Sequence, residues 1–142
     1  MNYAEKLSKE LSIPEHPSYT PVVTIVPVVF RKDRVFLQLV AGKWQFPKDA
    51  LQPFEQIEYA AIRITKKNGK LLAKFSHVAF VQEHIDEPTK AHFVYQYVVG
   101  EWRGGLIQEP TKYKFFTKEE LLTGTVLEPM TAHAIEQLRK RP

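Results

Sequence analysis

No cysteine occurs among the 142 residues, so disulfides and thiolate metal sites are both excluded, in keeping with a cytoplasmic location. No run of about 18 apolar residues is present, so no transmembrane helix and no membrane partner are expected. The opening stretch "MNYAEKLSKELSIPEH" is charged throughout and lacks the apolar core of a secretory signal. Internal repeats and low-complexity tracts are absent as well. What remains is 44% apolar and 25% charged, the make-up of one globular unit long enough to close a hydrophobic core.

The charge balance is tilted but not extreme. Formal net charge is +4 and the isoelectric point is near 9.2, which favours anionic partners such as nucleotides, nucleic acid or acidic surfaces. The basic residues are scattered except at "KK" (66–67) and "RKR" (139–141). A surplus of this size is first of all a soluble surface.

Periodicity divides the chain into an arm, residues 1–19, and a body, residues 20–142. In the arm, "YAEKLSKEL" (3–11) spaces Leu7 and Leu11 as a short amphipathic helix, and "SIPEHPSYTP" follows as a proline-rich extended connector. In the body, "VVTIVPVVF" (22–30) and "RVFLQLVA" (34–41) read as strands around an "RKD" turn, with Pro27 implying a bulge or an edge position. A helix is expected from about Phe54 to Asn68, with Phe54, Ile57, Ala61 and Ile64 as its buried stripe and Asn68-Gly69 as its stop. Strands at 73–84 and 91–102 flank the polar loop "IDEPTK", and another strand lies near 111–116. Thr117 and Glu120 form a capping-box pattern opening "KEELL". "EPMTAHAIEQLRKR" reads as a final helix with Pro129 in its first turn. Strands and helices mix without a βαβ rhythm, so the class is α+β.

The stretch Gly42–Lys70, "GKWQFPKDALQPFEQIEYAAIRITKKNGK", resembles the signature of the Nudix (MutT-like) hydrolase superfamily. Gly42, Trp44 and Pro47 stand where that pattern has them, and Glu55 and Arg63 keep its E-x7-R spacing. The order of elements resembles the family across roughly residues 20–140. The resemblance implies a mixed β-sheet sandwiched between α-helices, and in the family this helix holds Mg²⁺ or Mn²⁺ on acids that share one face. Counted from Arg63, those positions are Ile64, Lys67 and Asn68; with one residue deleted so that Gly69 meets the family glycine, they fall on Lys66 and Lys67. Neither register restores a carboxylate, and an ammonium offers a metal no lone pair. The glycine pair that follows the proline in the family is replaced by Lys48 and Asp49.

Each candidate residue has a plain structural role beside the functional one. Lys66 and Lys67 suit the last turn of a helix, Ile64 suits its core face, and Glu55 and Arg63 are placed to brace one another. Tyr95 and Tyr97 share one strand face with Phe93 and suit packing; Trp44 and the tyrosines also suit stacking on a base. Three readings stay open, and with them whether the chain is an enzyme. The first is a Nudix-fold protein without efficient metal-dependent pyrophosphohydrolase activity, which binds a nucleotide-like or phosphorylated ligand through Trp44, Lys48, Arg63, Lys67 and Tyr95. The second is an active hydrolase of nucleoside diphosphate derivatives, with Mg²⁺ or Mn²⁺ held by relocated ligands from Glu55, Glu58, Glu83 and Glu109. The third is a protein- or RNA-interaction module, with a homodimer as one form, in which the arm or the "RKR" end makes the contacts.

Overall fold

The computed structural model describes residues 20–105, 107 and 109–140. The expected arm, residues 1–19, therefore lies outside the described residues, as does the last residue of "RKR". Among the described residues no helix is long and apolar enough to cross a membrane.

Among the described residues, seven strands and three helices follow in the order β1 (Val22–Arg31), β2 (Arg34–Val40), β3 (Lys43–Gln45), β4 (Asp49–Ala50), α1 (Ile57–Lys67), β5 (Leu72–Asp86), β6 (Ala91–Gly104), β7 (Tyr113–Thr117), α2 (Lys118–Leu122) and α3 (Pro129–Arg139). The strands form one mixed sheet in the order β3-β2-β1-β6-β5, with β4 added to β1 and β7 to β2. β1 and β6 are parallel, and the other pairings are antiparallel.

Period-two alternation along β1 splits the core between the two faces of this sheet. Ile25 and Val29 face one way, into a cluster with Ala60, Ala61 and Ile64 of α1. Val26 and Val28 face the other way, into a cluster with Tyr95, Tyr97, Ala134 and Ile135, the last two from α3. Helices thus cover both faces, and the α+β sandwich is the architecture observed.

Two expectations need correction. Pro27 marks neither a bulge nor an edge: β1 is central and runs in unbroken register with β6, Pro27 opposite Val98. On its other side β4 meets Thr24 and Ile25, and β2 meets only Phe30 and Arg31. Proline falls in the interval between these partners, where no ladder bond is asked for. The helix, in turn, begins at Ile57 rather than near Phe54. Gln52–Glu55 instead closes a tight turn, Glu55 N–H donating to Gln52 O at 3.1 Å. Pro53 occupies its second position and Phe54, at φ +62°, its third, the arrangement of a type II turn. Phe54 is fully exposed and belongs to no buried stripe. The strands at 72–86 and 91–104 also run longer than expected and shorten the polar loop between them.

Candidate functional site

The Gln52–Glu55 turn places the Glu55 carboxylate against α1. Arg63, two turns into that helix, donates Nε–H to Glu55 Oε2 at 2.8 Å and an Nη2 hydrogen to Oε1 at 3.0 Å. Its Nη1 reaches Asp49 Oδ2 at 3.0 Å, and Nη2 also meets the carbonyl of Ala50 at 3.0 Å. The two carboxylates are further fixed by backbone: Gln52 N–H donates to Glu55 Oε1 at 3.1 Å, and Ala50 N–H to Asp49 Oδ1 at 2.8 Å. One guanidinium therefore clips together β4, the turn and α1.

This geometry sets the electrostatics. Hydrogen bonding from Arg63 holds the Glu55 carboxyl below its ordinary range, against some desolvation. The same guanidinium lowers Asp49, with smaller help from the Ala50 amide and from the charge of Lys67. Arg63 is raised in return, first by Glu55. Lys67, one turn after Arg63, is exposed at the end of α1 and, among the described residues, has no carboxylate within ion-pair distance. Ile64 is 1% exposed and packs in the core. Asn68 closes the helix, its side-chain amide donating to Ile64 O at 2.8 Å, and Gly69 follows at φ +87°.

β4 also reaches the opposite face of the sheet. Lys48, next to Asp49, turns toward the α3 side, with Nζ 5.6 Å from the ring centroid of Tyr95. Val26, Tyr97, Glu128 and Thr131 surround this pair. Tyr95 keeps 9% of its surface exposed, and burial followed by the Glu128 charge raises its phenol. Tyr97 is deeper, raised chiefly by burial, and donates its hydroxyl to Gln82 Oε1 at 2.8 Å.

The five candidate ligand residues are thus divided. Arg63 and Lys67 lie on the α1 face; Lys48 and Tyr95 meet on the other, joined to the first pair through β4. Trp44 stands apart, its ring edge-on to Phe116 at 4.8 Å and its backbone tied to Val126 and Glu128. Asp49, which in the sequence shows only as a replaced glycine, is the added participant in this cluster.

The other acids lie apart from this cluster. Glu58 is exposed in the first turn of α1. Glu83, on the edge strand β5, contacts His92 Nε2 at 3.0 Å. Glu109, at φ +55°, faces Lys112 Nζ at 3.8 Å. Among the described residues no three histidine, aspartate or glutamate side chains gather as a metal-holding group.

No protein-family model matches the sequence, and no curated protein matches it. Solved structures do. A MutT Nudix hydrolase from Burkholderia pseudomallei superposes with a TM-score of 0.66 at 22% identity, covering 84% of this chain and 99% of that one. A protein from Jonesia denitrificans described as a possible asymmetric diadenosine tetraphosphate hydrolase gives 0.71 at 16%, covering 85% and 94%. The chain has the Nudix fold. A third similar structure, described as a UDP-X diphosphatase, gives 0.71 at 14% identity over 99% of this chain and 71% of its own.

Proposed function

We propose that this Nudix-fold protein acts in the cytoplasm as a binder of a nucleotide-like or otherwise phosphorylated small molecule, and does not hydrolyse pyrophosphate by the metal route of the fold. The observation that carries this reading is the engagement of both Glu55 and Asp49 by Arg63, with the ammonium of Lys67, which has no ion-pair partner among the described residues, one turn further on. The donor set is poor for a divalent cation: both carboxylates already accept from a guanidinium, Ile64 is apolar and buried, and Asn68 brings no charge. Even at an effective dielectric of about 20, a cation beside a metal ion is opposed by several kcal/mol.

An anion fits the same place. Lys67 on one face and Lys48 on the other flank β4, and neither has a carboxylate partner among the described residues. A phosphate group at this edge is attracted by the ammonium on either face, and Arg63 keeps the underlying loop rigid. The nucleotide chemistry named for the diadenosine tetraphosphate and UDP-X proteins supports this ligand class.

A thermal-shift screen of nucleoside diphosphates, dinucleotides and sugar nucleotides, each with and without Mg²⁺, tests the reading. A ligand bound only by the native state raises the midpoint by mass action, and the expected shift is the same without metal. Mn²⁺-dependent turnover of any of these compounds that disappears in Glu55→Gln overturns the proposal.

A further inference from the structure

Arg31 ends β1 with its guanidinium carbon 4.1 Å from the ring centroid of Trp102 and 5.9 Å from that of Phe115. Among the described residues it makes no ion pair and no side-chain hydrogen bond, so its N–H donors are held in place by the rings yet unclaimed. Trp102 is itself anchored, its Nε1–H donating to Gly105 O at 3.2 Å. Gly105 lies so close to the end of the α1 connection that an added Cβ would come within 2.6 Å of Lys70 O. The wall behind Arg31 is therefore fixed.

Other cations gather at this end of the sheet. Arg31 pairs in register with Arg34 across a two-residue turn, Lys32-Asp33, and Lys32 takes φ +56° there. The acids facing the group are Asp33 and Glu101, and Glu101 is already 3.4 Å from Arg103. Phe30, Arg31, Lys32, Arg34, Glu101 and Trp102 belong to the lining of a groove of about 760 Å³. It is separate from the site built on β4, which meets β1 at Thr24 and Ile25, six residues and roughly 20 Å back along the strand.

We infer that this groove is a second anion site, which takes the di- or triphosphate group of a small molecule through Arg31. A planar guanidinium stacked on an indole loses little freedom when it grips two oxygens at once, and phosphate suits that fork. Three cations without ion-pair partners among the described residues, against Asp33 and an engaged Glu101, favour a multiply charged chain over a single carboxylate.

Calorimetric titration of the full chain with sodium tripolyphosphate, without divalent cations, tests the assignment. It is run in a Lys48→Ala/Lys67→Ala background, so that the β4 site does not contribute. Saturable binding is expected, weakened about tenfold or more by Arg31→Gln and by less in Arg31→Lys, with thermal midpoints confirming that each variant folds. ATP is expected to match tripolyphosphate, because the recognised group is the phosphate chain. No saturable heat in that background, an unchanged affinity in folded Arg31→Gln, or equal binding of adenosine without phosphates would each overturn it.

Discussion

Arg63 grips Glu55 with two parallel N–H donors, Nε to Oε2 at 2.8 Å and Nη2 to Oε1 at 3.0 Å, and the acid is only 14% exposed at its side chain. The fork is what a lysine cannot supply, since an ammonium has one point of charge and no fixed plane. Arg63→Lys should therefore lower the melting temperature almost as far as Arg63→Ala, by roughly 3–6 °C for the alanine. Differential scanning calorimetry of the three proteins checks this, and full recovery by lysine would mean that charge alone holds the loop.

The same pairing makes stability depend on acid. Glu55 and Asp49 are depressed below ordinary values of 4.5 and 3.8 by Arg63, and Glu120 is held to about 2 by Lys114, with the amide and hydroxyl of Thr117 adding to it. A carboxyl whose folded value lies below its unfolded one stabilises the fold above the unfolded value, and loses that contribution as pH falls through the folded one. The melting temperature should be level above about pH 5 and decline from there toward pH 2. Glu120→Gln and Arg63→Ala should each make that decline shallower.

Where the determining chemistry is local, the sequence announced it. Thr117 and Glu120 form the complete capping box, each side chain bonded to the other's backbone N–H, and Pro129 stands in the first turn of α3 with Glu128 as its cap. Distance hides the rest. Asp49 meets Arg63 across fourteen positions and from a strand of two residues, too short to leave a period. Pro27 is tolerated because of where β2 and β4 stop, which no stretch of β1 encodes. Phe54 extended the apolar spacing of the helix backwards, yet the Pro53 before it was the better signal, because it favours the second position of a turn.

That turn gives a substitution expected to stabilise. Phe54 holds a positive φ of 62° while the residue is fully exposed, so it bears backbone strain without packing in return. Phe54→Asn should raise stability by about 1 kcal/mol, since asparagine adopts this region readily. Urea denaturation measures the change. A loss instead would show that the ring is held by something beyond the described contacts.

Gly69 should be intolerant of any side chain. At φ +87° it reverses the chain after α1, and an added Cβ would stand 2.8 Å from Phe36 Cζ, a ring buried among Ala60, Ile64 and Phe115. Strain and overpacking act together, so Gly69→Ala should cost about 2–4 kcal/mol. Gly124→Ala is the control: its φ is +81° but nothing lies within 4 Å of the added carbon, and only the backbone component, about 1 kcal/mol, is expected. Equal losses at the two positions would remove Phe36 from the explanation.

Lys67→Glu separates the anion reading from the metal reading in one variant. The substitution places a carboxylate beside Asp49, whose charge Lys67 now helps to balance, and one turn from Arg63. If α1 receives phosphate, affinity for whichever nucleotide gives a metal-free thermal shift should fall about tenfold or more, because an attractive charge becomes a repulsive one. If the helix is instead a metal site short of one acid, the same variant should bind Mn²⁺ better than the parent and gain metal-dependent turnover. Calorimetric titrations of Mn²⁺ and of nucleotide into parent and variant distinguish the two. The expected result is weaker nucleotide binding with no gain in Mn²⁺ affinity, since Arg63 still occupies the carboxylates of Glu55 and Asp49.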